Sequence, residues 1–302
     1  MSEKWTLSRR RFLGIAGTTA AGLMLTPDLL AITNDKPVLR FGMISDVHYA
    51  DREPAGNRFY RQSLAKMKEA VDRLNQEKID FVIELGDFKD QDVTPNEAQT
   101  LTYLEAIEKA FQQFDGPTYH VLGNHDMDSL SKQQFLARVE NTGIPKTSSY
   151  YSFNKNGLHF VVLDGNYTKN GVSYDHGNFS WDEANIPKDE LDWLKDDLKQ
   201  NQLPSIVFIH QMLDESKNAK QAVQNAPEVR QILEQSEKVI CVLQGHVHEE
   251  RYNLINGIHY YSVNAMIDGD GPENSAYMVV DIYKDGSLKI DGFRRATDRE
   301  IR

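Results

Sequence analysis

The sequence predicts an α/β fold in which two mixed β-sheets pack together as a sandwich flanked by helices. Short apolar runs rich in Val, Ile and Phe follow Pro37, and such runs are typical of buried strands. Helical patterns separate several of these runs, as in parallel β-α-β units. The end of the chain instead carries consecutive strand patterns joined by tight turns. These three observations together predict mixed sheets.

The predicted elements follow one another in a regular order. Six strands are expected at residues 38–45, 79–85, 118–122, 158–163, 205–209 and 238–243. Helices lie between several of them, at residues 59–76, 96–114, 188–200 and roughly 226–237. Four further strands are expected at 252–254, 257–264, 276–284 and 287–292, with turns at Asn256-Gly257 and Asp285-Gly286. No internal repeat or long low-complexity linker interrupts this order, so we expect one domain over residues 37–302.

The composition is that of a globular protein with an acidic balance. The chain has 302 residues, of which 40% are hydrophobic and 10% aromatic, which is too apolar for a disordered chain. Its formal net charge of −11 argues against non-specific binding of nucleic acids, because such binding needs basic surface. The single cysteine, Cys241, excludes an intramolecular disulfide and any Cys-rich zinc or iron–sulfur site.

Residues 1–31 have the layout of an export signal. The arginines at positions 9–11 are followed by Phe12-Leu13 and then by an apolar stretch over residues 15–25, which is short for a membrane span. This arrangement resembles a twin-arginine signal, and an amphipathic or disordered tail is the alternative. We therefore expect the twin-arginine export machinery as a partner, export in the folded state, and a periplasmic or extracellular location in a bacterium. Membrane contact is expected only through this segment, which is either cleaved near Ala31 or kept as an anchor.

Five of the first six predicted strands end in Asp, Asn or His, which predicts a metal site. Open α/β sheets bind ligands at the carboxyl ends of their strands. Imidazoles and carboxylates suit Mn, Fe, Co, Ni or Zn. Seven ligands are too many for one tetrahedral ion but suit two ions that share a carboxylate, for which Asp87 on a central strand is the natural choice. The expected ligands are Asp46, His48, Asp87, Asn124, His210, His246 and His248.

The order of these motifs resembles that of the calcineurin-like metallophosphoesterase family. Asp-x-His, Gly-Asp, Gly-Asn-His-Asp, a lone His and Gly-His-x-His follow one another between residues 46 and 248. The resemblance implies two divalent ions (Mn, Fe or Zn), with His125 facing the leaving group and Asp126 as its partner. Asp90 occupies the place of a further acidic or amide residue of the family, and is otherwise a loop acid or a helix cap. The implied ligand sets are Asp46, His48, Asp87 and His248 for one ion, and Asp87, Asn124, His210 and His246 for the other.

The chain is also similar to the manganese-dependent ADP-ribose/CDP-alcohol diphosphatase branch of this family. The similar segments are residues 41–51, 59–64, 179–180, 191–194 and 257–259. The chain departs from the branch at two positions, since the branch typically has Gln in place of His48 and Glu in place of Asp126. His48 restores the ligand set of the wider family, which bears on metal preference.

These features predict an exported phosphohydrolase that cleaves a phosphodiester or pyrophosphate bond in a small, nucleotide-like phosphorylated substrate. Two divalent ions would neutralise the phosphate and lower the pKa of a bridging water, and the resulting hydroxide would attack phosphorus in line. His125 would donate a proton to the leaving oxygen, with Asp126 fixing its tautomer. A phosphomonoesterase with the same site is the first alternative, and a non-catalytic metal-binding protein is the second.

Three further polar residues are candidates for contact with the substrate. Arg58 and Arg61 follow the first motif and could hold a phosphate by bidentate contacts, or they are solvated helix charges. His176 lies in the loop-rich segment 166–185 and could line the pocket or stack on a base.

Overall fold

A computed structural model describes residues 36–214 and 219–302 of the protein. Within these residues it contains two six-stranded mixed sheets and five α-helices. The predicted fold class is therefore confirmed. The proposed signal at residues 1–31 lies outside the described residues. None of the described helices combines the length and the apolar character that a bilayer span requires.

The first sheet joins the start and the end of the described chain. In spatial order the strands are β12 (Arg299–Ile301), β11 (Leu288–Arg294), β10 (Ala276–Ile282), β1 (Leu39–Ile44), β2 (Phe81–Glu84) and β3 (Thr118–His120). The strands β1, β2 and β3 run parallel, with β3 at the edge, and β10, β11 and β12 continue the sheet beyond β1 in antiparallel pairs.

The second sheet has four parallel strands bounded by an antiparallel strand on each side. In spatial order the strands are β4 (Tyr151–Lys155), β5 (Leu158–Val162), β6 (Ser205–Ile209), β7 (Val239–Gln244), β9 (Ile258–Ser262) and β8 (Arg251–Ile255). The helices are α1 (Ser63–Gln76), α2 (Glu97–Phe111), α3 (Lys132–Arg138), α4 (Lys188–Gln200) and α5 (Ala226–Ser236).

Aromatic side chains fill the space between the two sheets. Phe41 and Phe81 stack on each other within the first sheet at 5.0 Å, while Phe41 meets Phe208 of the second sheet edge-on at 5.7 Å. Two separate apolar clusters lie on the outer faces, one beneath α1 and α2 and the other beneath α4 and α5. This packing fixes the two sheets against each other, so the loops that leave them are held in place on both sides.

Three short elements were absent from the sequence-based expectation: α3, β4 and β12. The helix α3 has seven residues and begins with a reciprocal cap, in which Ser131 accepts from the backbone N–H of Gln134 and the Gln134 side chain accepts from that of Ser131. The strands β4 and β12 pair with β5 and β11 respectively. The other predicted strands and helices are present, with ends that differ by a few residues.

Candidate metal centre

The loops after five strands bring the predicted ligands to one edge of the sandwich. The first sheet contributes four of them after β1, β2 and β3, and the second sheet contributes three after β6 and β7. A direct contact joins the two sheets here, because the backbone N–H of His246 donates to the Asp46 carboxylate at 3.1–3.2 Å. The structure therefore brings together residues that are up to about 200 positions apart in the chain, such as His48 and His248.

A first group of side-chain atoms surrounds a point between the two sheets. The Nε2 atoms of His48 and His248 are 3.3 Å apart. The Oδ1 atom of Asp46 is 3.9 Å from Nε2 of His48 and 3.5 Å from Nε2 of His248. The Oδ2 atom of Asp87 is 3.5 Å from Nε2 of His48. Two carboxylates and two imidazoles thus direct one ligand atom each toward a common point.

A second group shares Asp87 with the first. The same Oδ2 atom of Asp87 lies 3.2 Å from Nε2 of His210. Ligand atoms of Asp87, His210 and His246 all lie within 4.8 Å of one another. Asn124 is buried on the loop after β3, next to His125, whose backbone N–H donates to Oδ1 of Asp87 at 2.8 Å. The Asp87 carboxylate therefore occupies the position between the two groups.

The backbone of the ligand loops adopts a conformation that is unusual for residues other than glycine. Asp46, His48, Asp87, His246 and His248 all have positive φ angles, between 46° and 69°. Such conformations cost free energy and are concentrated at functional sites. Close approach of the loops also needs Gly123, since a Cβ atom at this position would lie 2.1 Å from the backbone nitrogen of Asp87. This local strain is consistent with a site that is built for binding.

Oxygen acceptors outside the cluster orient three of the imidazole rings. The Nδ1 atom of His210 donates to the backbone oxygen of Leu85 at 2.8 Å. The Nδ1 atom of His248 faces Oδ1 of Asp268 at 3.2 Å, and that of His48 faces Oδ2 of Asp90 at 3.3 Å. A proton held on Nδ1 leaves Nε2 with a free lone pair, which is the form in which histidine binds a metal.

Two of the predicted ligands are held neutral by their surroundings. Burial lowers the pKa of His48 to about 4. Burial lowers the pKa of His246 to about 3. Both imidazoles are therefore unprotonated at neutral pH, so that a metal ion would not have to displace a proton from them.

The donor set fits a pair of divalent ions. The Nε2 atom of His246 and the Oδ1 atom of Asn124 are buried and have no hydrogen-bond partner. Buried polar atoms of this kind are costly unless something satisfies them. Carboxylate, imidazole and amide ligands around a shared carboxylate match the chemistry of Mn²⁺, Fe²⁺ or Zn²⁺. The assignment of each residue as a ligand stays a prediction.

His125 lies at the open side of the cluster, with 28% of its side chain exposed. Its Nδ1 atom is 2.7 Å from Oδ2 of Asp128. Burial alone would lower the pKa of His125, but the carboxylates of Asp87 and Asp128 raise it to about 9. The ring therefore carries a proton at neutral pH and can give it to a bound molecule.

The predicted pairing of Asp126 with His125 is wrong. The Asp126 carboxylate points inward and accepts hydrogen bonds from the backbone N–H groups of Asp87, Phe88, Lys89 and Gly123. The four donors are backbone groups of the loops after β2 and β3, and Asp126 itself lies in the short 3₁₀ turn that follows Asn124. Asp126 thus holds the loops after β2 and β3 together, and Asp128 is the partner of His125.

The three candidate substrate residues lie in different surroundings. Arg58 is next to the cluster, with Nη2 at 3.5 Å from Nε2 of His248. The guanidinium of Arg61 is 51% exposed and is already paired with Asp51 and Glu53, the latter at 2.9 Å. The ring of His176 is also exposed and is bound to Asp175 and Glu97. Of the three, only Arg58 contacts a predicted metal ligand among the described contacts.

Sequence reasoning missed the roles of three residues of the site. Asp128 was overlooked because Asp126 is adjacent to His125 in sequence, whereas the 3₁₀ turn brings position 128 back to the ring. Asp268, which orients His248, lies twenty residues after it and carries no motif of its own. Trp181 is 46% exposed, and its ring centroid is 6.3 Å from that of His246. The tryptophan lies in the loop-rich segment 166–185, which was the available signal for it.

Sequence comparison relates the chain to known proteins. Residues 39–250 match the family described as calcineurin-like phosphoesterase. A manganese-dependent ADP-ribose/CDP-alcohol diphosphatase from Arabidopsis thaliana is 34% identical over 137 residues, and the aligned part spans 43% of each chain. A protein of the same description from Xenopus laevis is 25% identical over 330 residues, which cover 88% of this chain and 91% of the relative.

A solved structure shows the same fold. The crystal structure of a dimetal phosphatase from Danio rerio superposes with a TM-score of 0.75 at 20% sequence identity, covering 88% of this chain and 99% of that one. The family match extends through all the predicted ligand motifs, from β1 to the loop after β7. The protein therefore belongs to the calcineurin-like phosphoesterase family.

Proposed function

We propose that the protein is a phosphohydrolase with two divalent metal ions that cleaves a phosphodiester or pyrophosphate bond in a small, nucleotide-like substrate. One observation carries this proposal: the buried Asp87 carboxylate lies between two groups of inward-facing imidazole and carboxylate atoms. Two divalent ions, when bound, would supply positive charge for the phosphate and lower the pKa of a water molecule. The residues that would hold them are Asp46, His48, Asp87, Asn124, His210, His246 and His248.

His125 is the residue that would move a proton. Cleavage of a phosphodiester or pyrophosphate bond leaves negative charge on the leaving oxygen, which belongs to an alcohol or to a phosphate, and a proton on that oxygen helps it to leave. The protonated ring of His125 lies at the open side of the cluster, and Asp128 fixes its orientation from Nδ1. Its Nε2–H is therefore the donor that the chain offers to the leaving oxygen.

Arg58 and Trp181 support a substrate with a phosphate and a flat ring. Arg58 adds a guanidinium beside His248, where it can bind a phosphate oxygen. The exposed indole of Trp181 next to His246 offers a surface on which a nucleobase can stack. The relatives described as ADP-ribose/CDP-alcohol diphosphatases act on molecules that contain both groups, which favours a nucleotide-like substrate for this chain.

The test combines metal analysis with hydrolysis. The purified protein is loaded with Mn²⁺ and offered ADP-ribose, CDP-choline, bis-p-nitrophenyl phosphate and p-nitrophenyl phosphate. We expect about two Mn²⁺ per chain and turnover of the two diphosphates and the diester. The Asp87→Asn variant should lose metal and turnover together, whereas Asp192→Asn, on the exposed face of α4, serves as the matched control.

Each outcome has a definite meaning. Turnover of the monoester alone would assign a phosphomonoesterase with the same site. Two bound metals without turnover of any of the four compounds, with Mn²⁺, Fe²⁺ or Zn²⁺, would favour a non-catalytic metal-binding protein. Failure to bind metal at all would contradict the proposal as a whole.

We also propose that residues 1–31 form a twin-arginine signal for folded export, and that residues 37–302 form the enzymatic domain. The support is the run Arg9-Arg10-Arg11-Phe12-Leu13 ahead of an apolar stretch. Replacing Arg9 and Arg10 by lysine should leave the full-length protein in the cytoplasm of a bacterial host, as measured by fractionation and immunoblotting. Undiminished export of this variant would contradict the proposed signal.

A further inference from the structure

Lys66 is a buried cation that lies outside the metal centre and is not used in the proposed reaction. It belongs to the inner face of α1 and is fully buried. Its ammonium group meets four consecutive backbone oxygens, those of Met266, Ile267, Asp268 and Gly269, at 2.8–3.0 Å. An ammonium has three N–H donors, so the four carbonyls share them. We call residues 265–269 the carbonyl loop.

The carbonyl loop contacts the metal centre and the segment that carries Arg58. The backbone N–H of Ile267 donates to the backbone oxygen of Asp46 at 3.0 Å. The carboxylate of Asp268 faces Nδ1 of His248 at 3.2 Å. The backbone oxygen of Ile267 also accepts from the N–H of Phe59, next to Arg58. The same loop thus touches two predicted ligands and the segment that carries the arginine.

Four carbonyl oxygens directed at one point repel one another unless a cation lies there. Burial lowers the pKa of the Lys66 ammonium to about 8, which leaves it mostly protonated at neutral pH. A hydrogen bond from a charged donor to a backbone oxygen is stronger than one from a neutral donor, and apolar surroundings strengthen this bond further. Without this cation the four carbonyl groups would have no shared donor, and the carbonyl loop would not keep its conformation.

We infer that Lys66 is a positioning residue that holds the carbonyl loop so that Asp268 keeps the His248 imidazole aimed at its metal position. This inference rests on the proposed function in one respect, since it treats His248 as a metal ligand. Groups that orient a histidine ligand from behind typically change metal affinity by about 10- to 100-fold when they are removed. Lys66 acts one step further away, through the loop.

The test compares Lys66→Met, which removes the cation but keeps the length of the side chain, with Lys68→Met. Lys68 is exposed on the same helix, so this control removes the same charge without touching the carbonyl loop. Lys66→Gln is a second variant that retains two N–H donors, and it carries the test if the methionine variant does not fold. His248→Ala and the double variant with Lys66→Met complete a cycle that isolates the coupling between the two positions.

The first measurement is the binding of Mn²⁺ to each variant by calorimetric titration. We expect Lys66→Met to weaken one of the two Mn²⁺ equilibria by roughly tenfold, the one that His248→Ala also weakens, and to leave the other within twofold. In the His248→Ala background Lys66→Met should have no further effect on that equilibrium. Equal weakening of both equilibria, or no change in either, would show a merely structural role.

The second measurement does not need metal. Nitrogen NMR of the His248 ring in the metal-free protein reports which ring nitrogen carries the proton. We expect a protonated Nδ1 in the wild type and in Lys68→Met, and a mixture of tautomers in Lys66→Met. If the wild type binds no Mn²⁺, the proposed function fails while this readout still decides the role of Lys66. An unchanged tautomer in Lys66→Met would overturn the inference.

Discussion

At the scale of single residues, the partner of His125 decides how the proposed acid works. The Oδ2 atom of Asp128 lies 2.7 Å from Nδ1 of the ring, while the Asp126 carboxylate accepts hydrogen bonds from four backbone N–H groups. Asp126 and Asp128, which are close to His125 in sequence, thus have different tasks. One supports the charge on the imidazole, and the other supports the loops that carry the ligands.

The first prediction concerns the Asp128→Asn variant. Asp128 raises the pKa of His125, so its neutral replacement should lower that pKa and make the protonated acid scarcer as pH rises. We expect the alkaline limb of the kcat profile for ADP-ribose to move to lower pH and kcat at pH 8 to fall roughly tenfold. The measurement is the pH profile of kcat in the Mn²⁺-loaded protein.

Asp126→Asn is the comparison for this prediction. It keeps the size of the side chain but weakens four hydrogen bonds from the backbone, so it should lower thermal stability without moving the alkaline limb. A moved limb in Asp126→Asn with an unmoved limb in Asp128→Asn would restore the pairing that the sequence suggested.

The second prediction concerns Trp181. Stacking of a base on an aromatic side chain contributes about 1–3 kcal/mol, so Trp181→Ala should weaken binding of a nucleotide product roughly tenfold or more. Competitive inhibition by AMP and by inorganic phosphate separates the two parts of the substrate. The inhibition constant of AMP should rise, and that of phosphate should stay within twofold. An equal change in both constants would show that Trp181 shapes the centre itself.

At the scale of elements, a buried histidine joins β3 to α2. The Nε2 atom of His120 lies 3.1 Å from the Glu108 carboxylate, and Nδ1 lies 3.7 Å from that of Glu84 on β2. Phe88 and Phe111 cover the ring at centroid distances of 4.8 and 5.0 Å. Burial alone would lower the pKa of His120, but the two glutamates raise it to about 9.

The third prediction is a pH dependence of stability that His120 controls. A histidine whose pKa is higher in the folded protein stabilises the fold fully below its unfolded pKa of about 6.5, and this stabilisation is lost as pH rises through about 9. The free energy of unfolding should therefore fall by the order of 3 kcal/mol over this range. Urea unfolding of the wild type and of His120→Gln at pH 6.5 and 9 measures it. The variant should depend less on pH than the wild type, while the raised pKa of the buried Glu84 carboxyl leaves part of the dependence in place.

His176, on the protein surface, offers a matched control for His120. His176 pairs with exposed carboxylates of Asp175 and Glu97, where solvent weakens such interactions, so His176→Gln should keep the pH dependence of the wild type. The same slope in His120→Gln and in the wild type would contradict the role given to His120.

The elements that the sequence predicted and those that it did not differ in their physical origin. Strands such as β6, Ser205–Ile209, are continuous apolar runs because both faces of the sheet are covered, and that pattern is visible in the chain. The strand β12 has three residues, one of them buried, and exists because β11 offers its free edge. Likewise α3 is too short for a periodic pattern, and its capping box was the signal available for it.

The site shows the same contrast. The seven predicted ligands follow strands, so the order of strands was enough to place them on one edge. Asp128, Asp268 and Trp181 depend on how loops return to that edge, and no strand pattern encodes this. The carbonyl loop illustrates the difference, because its path is set by a lysine on α1 that lies 200 positions earlier in the chain.

At the scale of the whole molecule, the metal centre lies on the seam between the two sheets. Asp46, His48, Asp87 and Asn124 leave the first sheet, whereas His210, His246 and His248 leave the second. Each of the two implied ions would therefore take ligands from both sheets. Bound metal should hold the sheets together, and this coupling makes metal binding measurable as stability of the entire fold.

The fourth prediction is a large thermal shift on metal binding. A ligand at 100 times its dissociation constant stabilises the folded state by about 2.7 kcal/mol, and in a domain of this size 1 kcal/mol raises Tm by about 2–4 °C. Saturating Mn²⁺ should therefore raise Tm by roughly 5–10 °C for each tightly bound ion, and EDTA should reverse the shift. Asp87→Asn should abolish most of it because both ions lose the shared carboxylate. Asp192→Asn, on the surface of α4, should retain the full shift, and a shift that survives in Asp87→Asn would mean that Mn²⁺ stabilises the protein from somewhere other than the seam.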